Sequence, residues 1–184
     1  MTPENKYRRE NRKYSVVEYN PAWPEKFNEI KLFLESVFKE KLEKIEHFGS
    51  TAIPGMKAKP VVDVLLVVKK MENFTEERDE MISAGWKFDA NYDEPGGLGF
   101  YKTNEDGSKS EKVLIFETNS RKEKKVLVMR DYFRAFPEKS KEYSQLKEKN
   151  YLLHQNDYPA YQEAKSTFLK QIEKEAFEWD SSKN

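Results

Sequence analysis

The sequence contains no cysteine, which excludes disulfide bonds, thiolate catalysis and zinc sites with cysteine ligands. It has only two histidines, His47 and His154, so chemistry that depends on imidazole has few candidates. No apolar run approaches the roughly 20 residues of a membrane-spanning helix, and the charged N-terminus is unlike a signal peptide. We therefore expect a soluble cytoplasmic protein that has no membrane partner.

An excess of charge of either sign is also lacking, since 33 lysines and arginines balance 33 aspartates and glutamates. A protein with zero net charge has no overall field that attracts nucleic acid or an anionic membrane surface. Basic runs at 6–13 and 121–125 are typical of solvated surface. We therefore expect no nucleic-acid partner, and the sequence leaves the oligomeric state open.

Aromatic residues compensate for a modest hydrophobic content. Hydrophobic residues make up 37% of the chain, but 12 phenylalanines and 10 tyrosines supply core volume. The 184 residues suffice for one domain with a sizeable core. Residues 1–14 are polar and basic with no apolar period, so we expect a disordered basic arm there and a single domain over residues 15–179.

The pattern within this domain mixes strands and helices. Strands are predicted at residues 15–19, 45–48, 61–68, 86–90, 98–103 and 112–117, and helices at 24–41, 76–84, 123–136 and 137–150, with a long last helix from Pro159. Thr75 and Asp157 are predicted as helix N-caps, and Asp106-Gly107 as a hairpin turn. Because hairpins and crossovers occur together, we expect an α+β fold: a mixed β-sheet flanked by helices, with a helical C-terminal segment.

One stretch, residues 44–68 (KIEHFGSTAIPGMKAKPVVDVLLVV), contains the strongest functional signal. A Gly49-Ser50 turn precedes a Val/Leu run that is typical of a strand buried on both faces. Asp63 is the one interruption of that run, and a carboxylate there is costly unless it pairs with a cation or coordinates one.

Two interpretations of this stretch remain open. In the first, backbone N–H groups of residues 49–51 bind phosphate oxygens, and Asp63 holds a divalent cation that bridges to the phosphates. In the second, Gly49 and Gly55 are turn glycines, and Asp63 forms an ion pair with Lys59.

The same residues carry a family resemblance. The segment HFGSTAIPGMKAKPVVDVLLVV resembles the core of the GrpB (UPF0157) family, which is similar to the nucleotidyltransferase superfamily. Three further segments resemble GrpB: VEYNPAWPEKF, MRDYFRAFPEKSKEYSQLK and YPAYQEAKSTFLKQI. The resemblance extends from about Ser15 to Ile172, and it implies a nucleotidyltransferase-like domain with a phosphate-handling site.

The sequence departs from these patterns at three positions. Leu65 stands where a nucleotidyltransferase would have its second acid, two residues after Asp63. Lys112 and Leu114 stand where GrpB members commonly have a His-x-His pair. These departures remove plausible metal or proton-transfer ligands and put catalysis in doubt.

Candidate site residues follow from the stretch and the resemblance together. For catalysis we select Asp63, Lys59 and His47, the last as a base. For phosphate binding we select Gly49, Ser50, Thr51, Lys59, Lys102, Arg130, Tyr161 and Lys165. For a metal ion, which we expect to be Mg²⁺, we select Asp63 and Glu117.

Two functions are compatible with this set. The first is a nucleotidyltransferase-like enzyme that binds a nucleoside triphosphate with Mg²⁺ and transfers a nucleotidyl group to an unknown acceptor. The second is a non-catalytic module that binds a phosphorylated or coenzyme-A-related ligand on the same fold. Both predict a nucleotide or another phosphorylated small molecule as the partner.

Overall fold

The computed structural model describes residues 12–72, 74–89 and 96–183. Its centre is a five-stranded sheet in the order β1-β2-β5-β4-β3, in which β2 and β5 run parallel and the other neighbours are antiparallel. The strands are β1 (Leu42–Phe48), β2 (Val62–Val68), β3 (Lys87–Phe88), β4 (Gly97–Thr103) and β5 (Lys109–Glu117). The predicted mixed sheet of an α+β fold is therefore confirmed.

Six α-helices are found in the described residues. They are α1 (Trp23–Phe38), α2 (Thr75–Ser83), α3 (Arg121–Ala135), α4 (Pro137–Leu153), α5 (Tyr158–Glu163) and α6 (Ser166–Ser181). Short 3₁₀ turns follow α1 at Lys39–Lys41 and β1 at Ser50–Ala52. Among the helices of these residues, none combines the length and apolar character needed to cross a membrane.

The apolar run of β2 is buried on both faces, as the sequence predicts. Val64 and Leu66 pack with α1 and α2 on one face of the sheet, whereas Leu65 and Val67 pack against α3 on the other. Burial of each such side chain contributes about 1.5–3 kcal/mol. Asp63 is the one half-buried position of the strand, so it lies where the core ends.

A third apolar cluster joins the C-terminal helices to the segment after the Gly49-Ser50 turn. Ile53 and Met56 of that segment pack with side chains of α3, α4 and α6, including Tyr143 and Ile172. The C-terminal helical segment therefore covers the end of the sheet at which β1 stops and β2 begins. This packing brings residues far apart in the sequence to the predicted phosphate site.

The predicted strand at residues 15–19 is wrong, because only Val17 pairs there, in a single antiparallel bridge with Ala58. On one side, the next hydrogen-bonded pair of an antiparallel ladder would join Ser15 to Pro60, and Pro60 has no N–H to donate. On the other side, the N–H of Met56 donates to Ile53 O instead. The pairing therefore cannot extend in either direction.

Two helix boundaries also differ from the prediction. Thr75 lies inside α2, and Phe74 takes the N-cap position without a side-chain hydrogen bond. The long last helix is broken into α5 and α6, because Lys165 adopts a non-ideal backbone conformation (φ −106°, ψ −4°) between them. Asp157 does cap α5, by accepting a hydrogen bond from the N–H of Ala160.

The predicted basic arm falls mostly on residues 1–11, which lie outside the described residues, as does the end of the predicted strand 86–90 at Ala90. The last part of the predicted arm, residues 12–14, is described. Tyr14 packs against the rings of Tyr151, Tyr158 and Tyr161, with centroid distances of 4.8–5.4 Å. Those contacts attach residue 14 to the C-terminal helices.

Candidate functional site

The turn after β1 lies directly against Asp63. Gly49 has φ +72°, a conformation that favours glycine. A Cβ added to Gly49 would lie 2.8 Å from Asp63 Oδ2 and 3.3 Å from its Cβ. Glycine is therefore required here both by the backbone and by the nearby carboxylate, and the predicted juxtaposition of the Gly-Ser turn with Asp63 is found.

Two arginines of α3 hold this turn in place. Arg134 donates from Nε and Nη2 to the carbonyl oxygen of Ala52, at 3.1 and 2.8 Å. Arg130 donates to Glu46 at 2.7 Å, to the backbone oxygen of His47 at 3.0 Å and to Asp131 at 2.8 Å. The Arg130 guanidinium, predicted to bind phosphate, instead joins α3 to β1.

Three lysines converge on the turn and Asp63. Lys147 of α4 is 2% exposed, and its Nζ donates to Ser50 Oγ at 2.9 Å and to the backbone oxygen of Lys57. Lys59 donates to the hydroxyl of Tyr158 at 2.8 Å. Lys165 is 8% exposed, and its Nζ lies 4.9 Å from the centroid of the Tyr161 ring. We name Ser50, Lys59, Asp63, Lys147 and Lys165 together the lysine site.

Burial and mutual repulsion weaken the proton affinity of these amines. Burial, together with the charge of Arg12, lowers the pKa of Lys59 to about 7. Burial, together with the charge of Lys59, lowers the pKa of Lys165 to about 8. The pKa of Lys147 is lowered well below its usual value by burial and by the other two lysines. Asp63 acts in the opposite direction on Lys59 and Lys165.

The lysine site contains three amines and one carboxylate, that of Asp63. Within the described part of the chain, no carboxylate forms an ion pair with any of its three lysines. The predicted pair of Asp63 with Lys59 is likewise not formed as a direct contact between these described residues. A buried cluster of this kind is stabilised by an anion that approaches the amines.

Thr51 and His47 support the fold and do not face the lysine site. The hydroxyl of Thr51 donates to Val61 O at 3.2 Å and lies 3.0 Å from His47 Nε2, from which it accepts a hydrogen bond. The His47 ring stacks on Phe27 at 5.0 Å, on the face of the sheet opposite to Asp63. The predicted role of His47 as a base is therefore not supported by its position.

His47 should make the protein sensitive to acid. Burial and two arginines lower its pKa to about 4, against about 6.5 in the unfolded chain. Since only the unfolded chain binds the proton between those values, the free energy of unfolding should fall by about 3 kcal/mol from pH 6.5 to pH 4. Urea titrations should detect a smaller fall in His47→Gln, and the variant His154→Gln measures the contribution of the other histidine. Equal falls in wild type and His47→Gln would contradict this account.

The structure does not bring the predicted residues Glu117 and Lys102 to the lysine site. Glu117 is opposite Val68 in the parallel pair, five positions beyond Asp63, a separation of about 16 Å along the strands. Its carboxylate accepts a hydrogen bond from the N–H of Met71. Lys102 pairs in register with Glu111 and points to the other face of the sheet, where its Nζ lies 4.9 Å from the Trp86 ring centroid.

Tyr161 is brought to the border of the lysine site. Its side chain is fully buried, and its hydroxyl has no hydrogen-bond partner among the described residues. Of the predicted residues, the structure therefore brings together Gly49, Ser50, Lys59, Asp63, Lys165 and, at the border, Tyr161.

Lys147 was missed by the sequence analysis, although one signal was present. It lies four residues after Tyr143, on the face of α4 that packs inward, and lysine is rarely found on such a face without a specific partner. Arg12 and Tyr158 were also missed. Their roles depend on contacts between the two ends of the chain, such as the hydrogen bond from Arg12 to Tyr158, which spans 146 residues.

A comparison with protein-family models matches residues 13–175 to the family described as GrpB protein. The chain belongs to the GrpB family. It is 31% identical over 173 residues to UPF0157 protein YqkA of Bacillus subtilis, covering 94% of this chain but only 50% of that relative. It is 32% identical to glutamate-rich protein GrpB of Alkalihalophilus pseudofirmus, covering 85% of this chain and 92% of that relative.

One solved structure supports the same assignment of this GrpB family member. The crystal structure of conserved protein GrpB from Enterococcus faecalis matches with a TM-score of 0.83 and 31% identity, over 89% of this chain and 98% of that one. A cytoplasmic RNA terminal U-transferase matches with a TM-score of 0.39 and 14% identity, over 72% of this chain and 42% of that one. At that score the second likeness carries no argument about function.

Proposed function

We propose that the lysine site binds the phosphate group of a small phosphorylated molecule through Lys59, Lys147 and Lys165, without requiring a metal ion. The observation that carries this proposal is the gathering of three lysine amines that no carboxylate of the described residues pairs with directly: Lys147 donates to Ser50 Oγ, and Lys59 and Lys165 lie close enough to Asp63 to be influenced by its charge. Phosphate oxygens accept charge-assisted hydrogen bonds from lysine amines and would restore the charge balance. The hydroxyl of Ser50 adds a neutral donor beside them.

A second candidate function follows the resemblance to nucleotidyltransferases. It is favoured by the contact of Gly49 with Asp63, which would place a metal-holding carboxylate beside bound phosphates. Mg²⁺ can bind through one carboxylate together with substrate phosphates, and it would stabilise negative charge on a leaving pyrophosphate. Nucleotidyl transfer with Mg²⁺ stays a prediction.

The composition of the site favours the metal-independent function. Within residues 12–72, 74–89 and 96–183, no group of three or more histidine, aspartate or glutamate side chains is arranged to hold a metal ion. Glu117 is too distant to act as the second carboxylate. Lys59 and Lys165 repel a cation at Asp63, whereas they attract an anion.

Titration calorimetry with inorganic pyrophosphate in EDTA tests the proposal. The titration is done at about pH 6, because the pKa of Lys59 is about 7 and its amine is protonated below that value. We expect binding at submillimolar concentration, and a loss of about tenfold or more in Lys147→Met, because the amine that donates beside Ser50 is removed. Lys149→Met, an exposed position of the same helix, is the matched control and should bind as the wild type does. No binding to the wild type at millimolar pyrophosphate would refute the proposal.

The same titration repeated at higher pH gives a second result. Lys59 and Lys165 lose their protons as the pH rises through about 7 and about 8, so the affinity should fall over that interval. A bound anion raises both pKa values, and binding should therefore take up protons from the buffer. An affinity that is constant from pH 6 to pH 9 would contradict the role of these amines.

A further inference from the structure

A cavity of about 460 Å³ lies beside the lysine site. Lys59 lines this cavity and belongs to the lysine site as well, so it connects the two. The other side chains used below are Arg12 and Lys109, which also line the cavity. All three are cations, although the chain as a whole has zero net charge.

Arg12 and Lys59 share one acceptor at the cavity wall. Arg12 Nη1 donates to the hydroxyl oxygen of Tyr158 at 3.1 Å, and Lys59 Nζ donates to the same oxygen at 2.8 Å. Because both lone pairs of that oxygen are used, its own proton is available to a further acceptor. Tyr158 is buried and lies under the Arg12 guanidinium at 4.6 Å.

Arg12 also has a donor that the protein leaves unused. Its Nε is buried and has no hydrogen-bond partner among the described residues. Buried donors are nearly always paired in native proteins, so this N–H is a donor that an oxygen of a bound ligand would satisfy. The planar guanidinium, with several N–H groups in one plane, matches the oxygens of a phosphate group.

Lys109 adds a further amine to the lining of the cavity. Its Nζ forms an ion pair with Asp89 at 3.3 Å and lies 3.9 Å from the Tyr101 ring centroid. Burial, together with the charge of Arg12, lowers the pKa of Lys109 to about 8. The donors of the lysine site therefore continue through Lys59 and Arg12 to Lys109, whose charge is balanced by Asp89.

We propose that the cavity at Arg12 is a second anion subsite, so that the ligand carries at least two linked anionic groups, as in a diphosphate or a longer phosphate chain. One group binds at the lysine site and the next lies between Arg12 and the hydroxyl of Tyr158, with Lys59 contacting both. This inference rests on the proposed function, because the first group occupies the lysine site.

The second subsite is tested by measuring, by calorimetry in EDTA, the affinities of the series orthophosphate, pyrophosphate and tripolyphosphate. For the wild type we expect tripolyphosphate to bind about 100-fold more tightly than orthophosphate, as a second set of charged hydrogen bonds would provide. Arg12→Gln should reduce that ratio about tenfold and leave the orthophosphate affinity within about twofold. Lys13→Gln is the matched control, because it removes an exposed charge at the rim of the same cavity and should keep the ratio.

The outcomes separate this inference from the proposed function. If orthophosphate and tripolyphosphate bind equally well, or if Arg12→Gln weakens both in parallel as a purely structural residue would, the second subsite is refuted while the lysine site stands. If Arg12→Gln and Lys13→Gln reduce the ratio equally, the effect is one of general charge, and the subsite is likewise refuted. If none of the three anions binds to the wild type, the proposed function fails, and the inference fails with it.

Discussion

Gly49→Ala should lower the free energy of unfolding by about 3 kcal/mol, the largest stability effect that we expect from adding a single methyl group to a turn of this protein. Gly49 adopts φ +72°, and an L-residue in the left-handed region costs about 1–2 kcal/mol. The added Cβ would also lie 2.8 Å from Asp63 Oδ2 and 3.3 Å from its Cβ, so that the turn and the strand must separate. Overpacking of this kind adds about 1–3 kcal/mol.

Gly55→Ala is a control that separates the two causes. Gly55 has nearly the same backbone conformation, φ +77°, but an added Cβ there meets no atom within 4 Å. Urea denaturation should therefore give a loss of about 1–2 kcal/mol for Gly55→Ala, and a clearly larger one for Gly49→Ala. Equal losses would show that the carboxylate of Asp63 does not constrain the turn.

Local patterns in the sequence predicted the parts of this site that are close together along the chain. The Gly49-Ser50 turn and Asp63 are only 13 positions apart, and the turn leads into a strand whose apolar run fixes its place in the sheet interior. The family resemblance covers the same residues. The α+β fold followed from the alternation of strand and helix patterns, because each element has its own apolar period.

The faces of the strands could not be predicted in the same way. Lys102 and Glu117 were assigned to the site, but strand side chains alternate, and a bulge shifts the register of β4 and β5 between Lys102 and Thr103. The strands β2 and β5 are parallel, and Asp63 lies near the start of β2 whereas Glu117 lies at the end of β5. The two carboxylates are therefore at opposite ends of the strand pair. Neither the bulge nor the strand order can be read from local composition.

Long-range contacts account for what the sequence analysis missed. Lys147 reaches Ser50 across 97 positions, and Arg12 reaches Tyr158 across 146. Both contacts depend on how the helical C-terminal segment packs on the end of the sheet. The sequence alone shows only that a lysine occupies the inward face of a helix, which is unusual. The packing of the helix on the sheet is needed to identify Ser50 as its partner.

Asp63→Asn should have opposite effects under the two candidate functions. In the lysine site, the carboxylate repels a bound phosphate, so its replacement by a neutral amide should increase the affinity for pyrophosphate on the order of tenfold. In a metal site, Asp63 is the ligand that holds Mg²⁺ against the phosphates, and the same substitution should abolish metal-dependent binding. Asparagine keeps the shape of the side chain beside Gly49, so the turn should remain intact.

The direct measurement is therefore the dissociation constant of pyrophosphate for wild type and Asp63→Asn, each in EDTA and in Mg²⁺, at about pH 6, where Lys59 is protonated. We predict that both proteins bind in EDTA, that Asp63→Asn binds more tightly, and that Mg²⁺ does not strengthen binding to either. Binding by the wild type only when Mg²⁺ is present, together with its loss in Asp63→Asn, would contradict a lysine-based anion site.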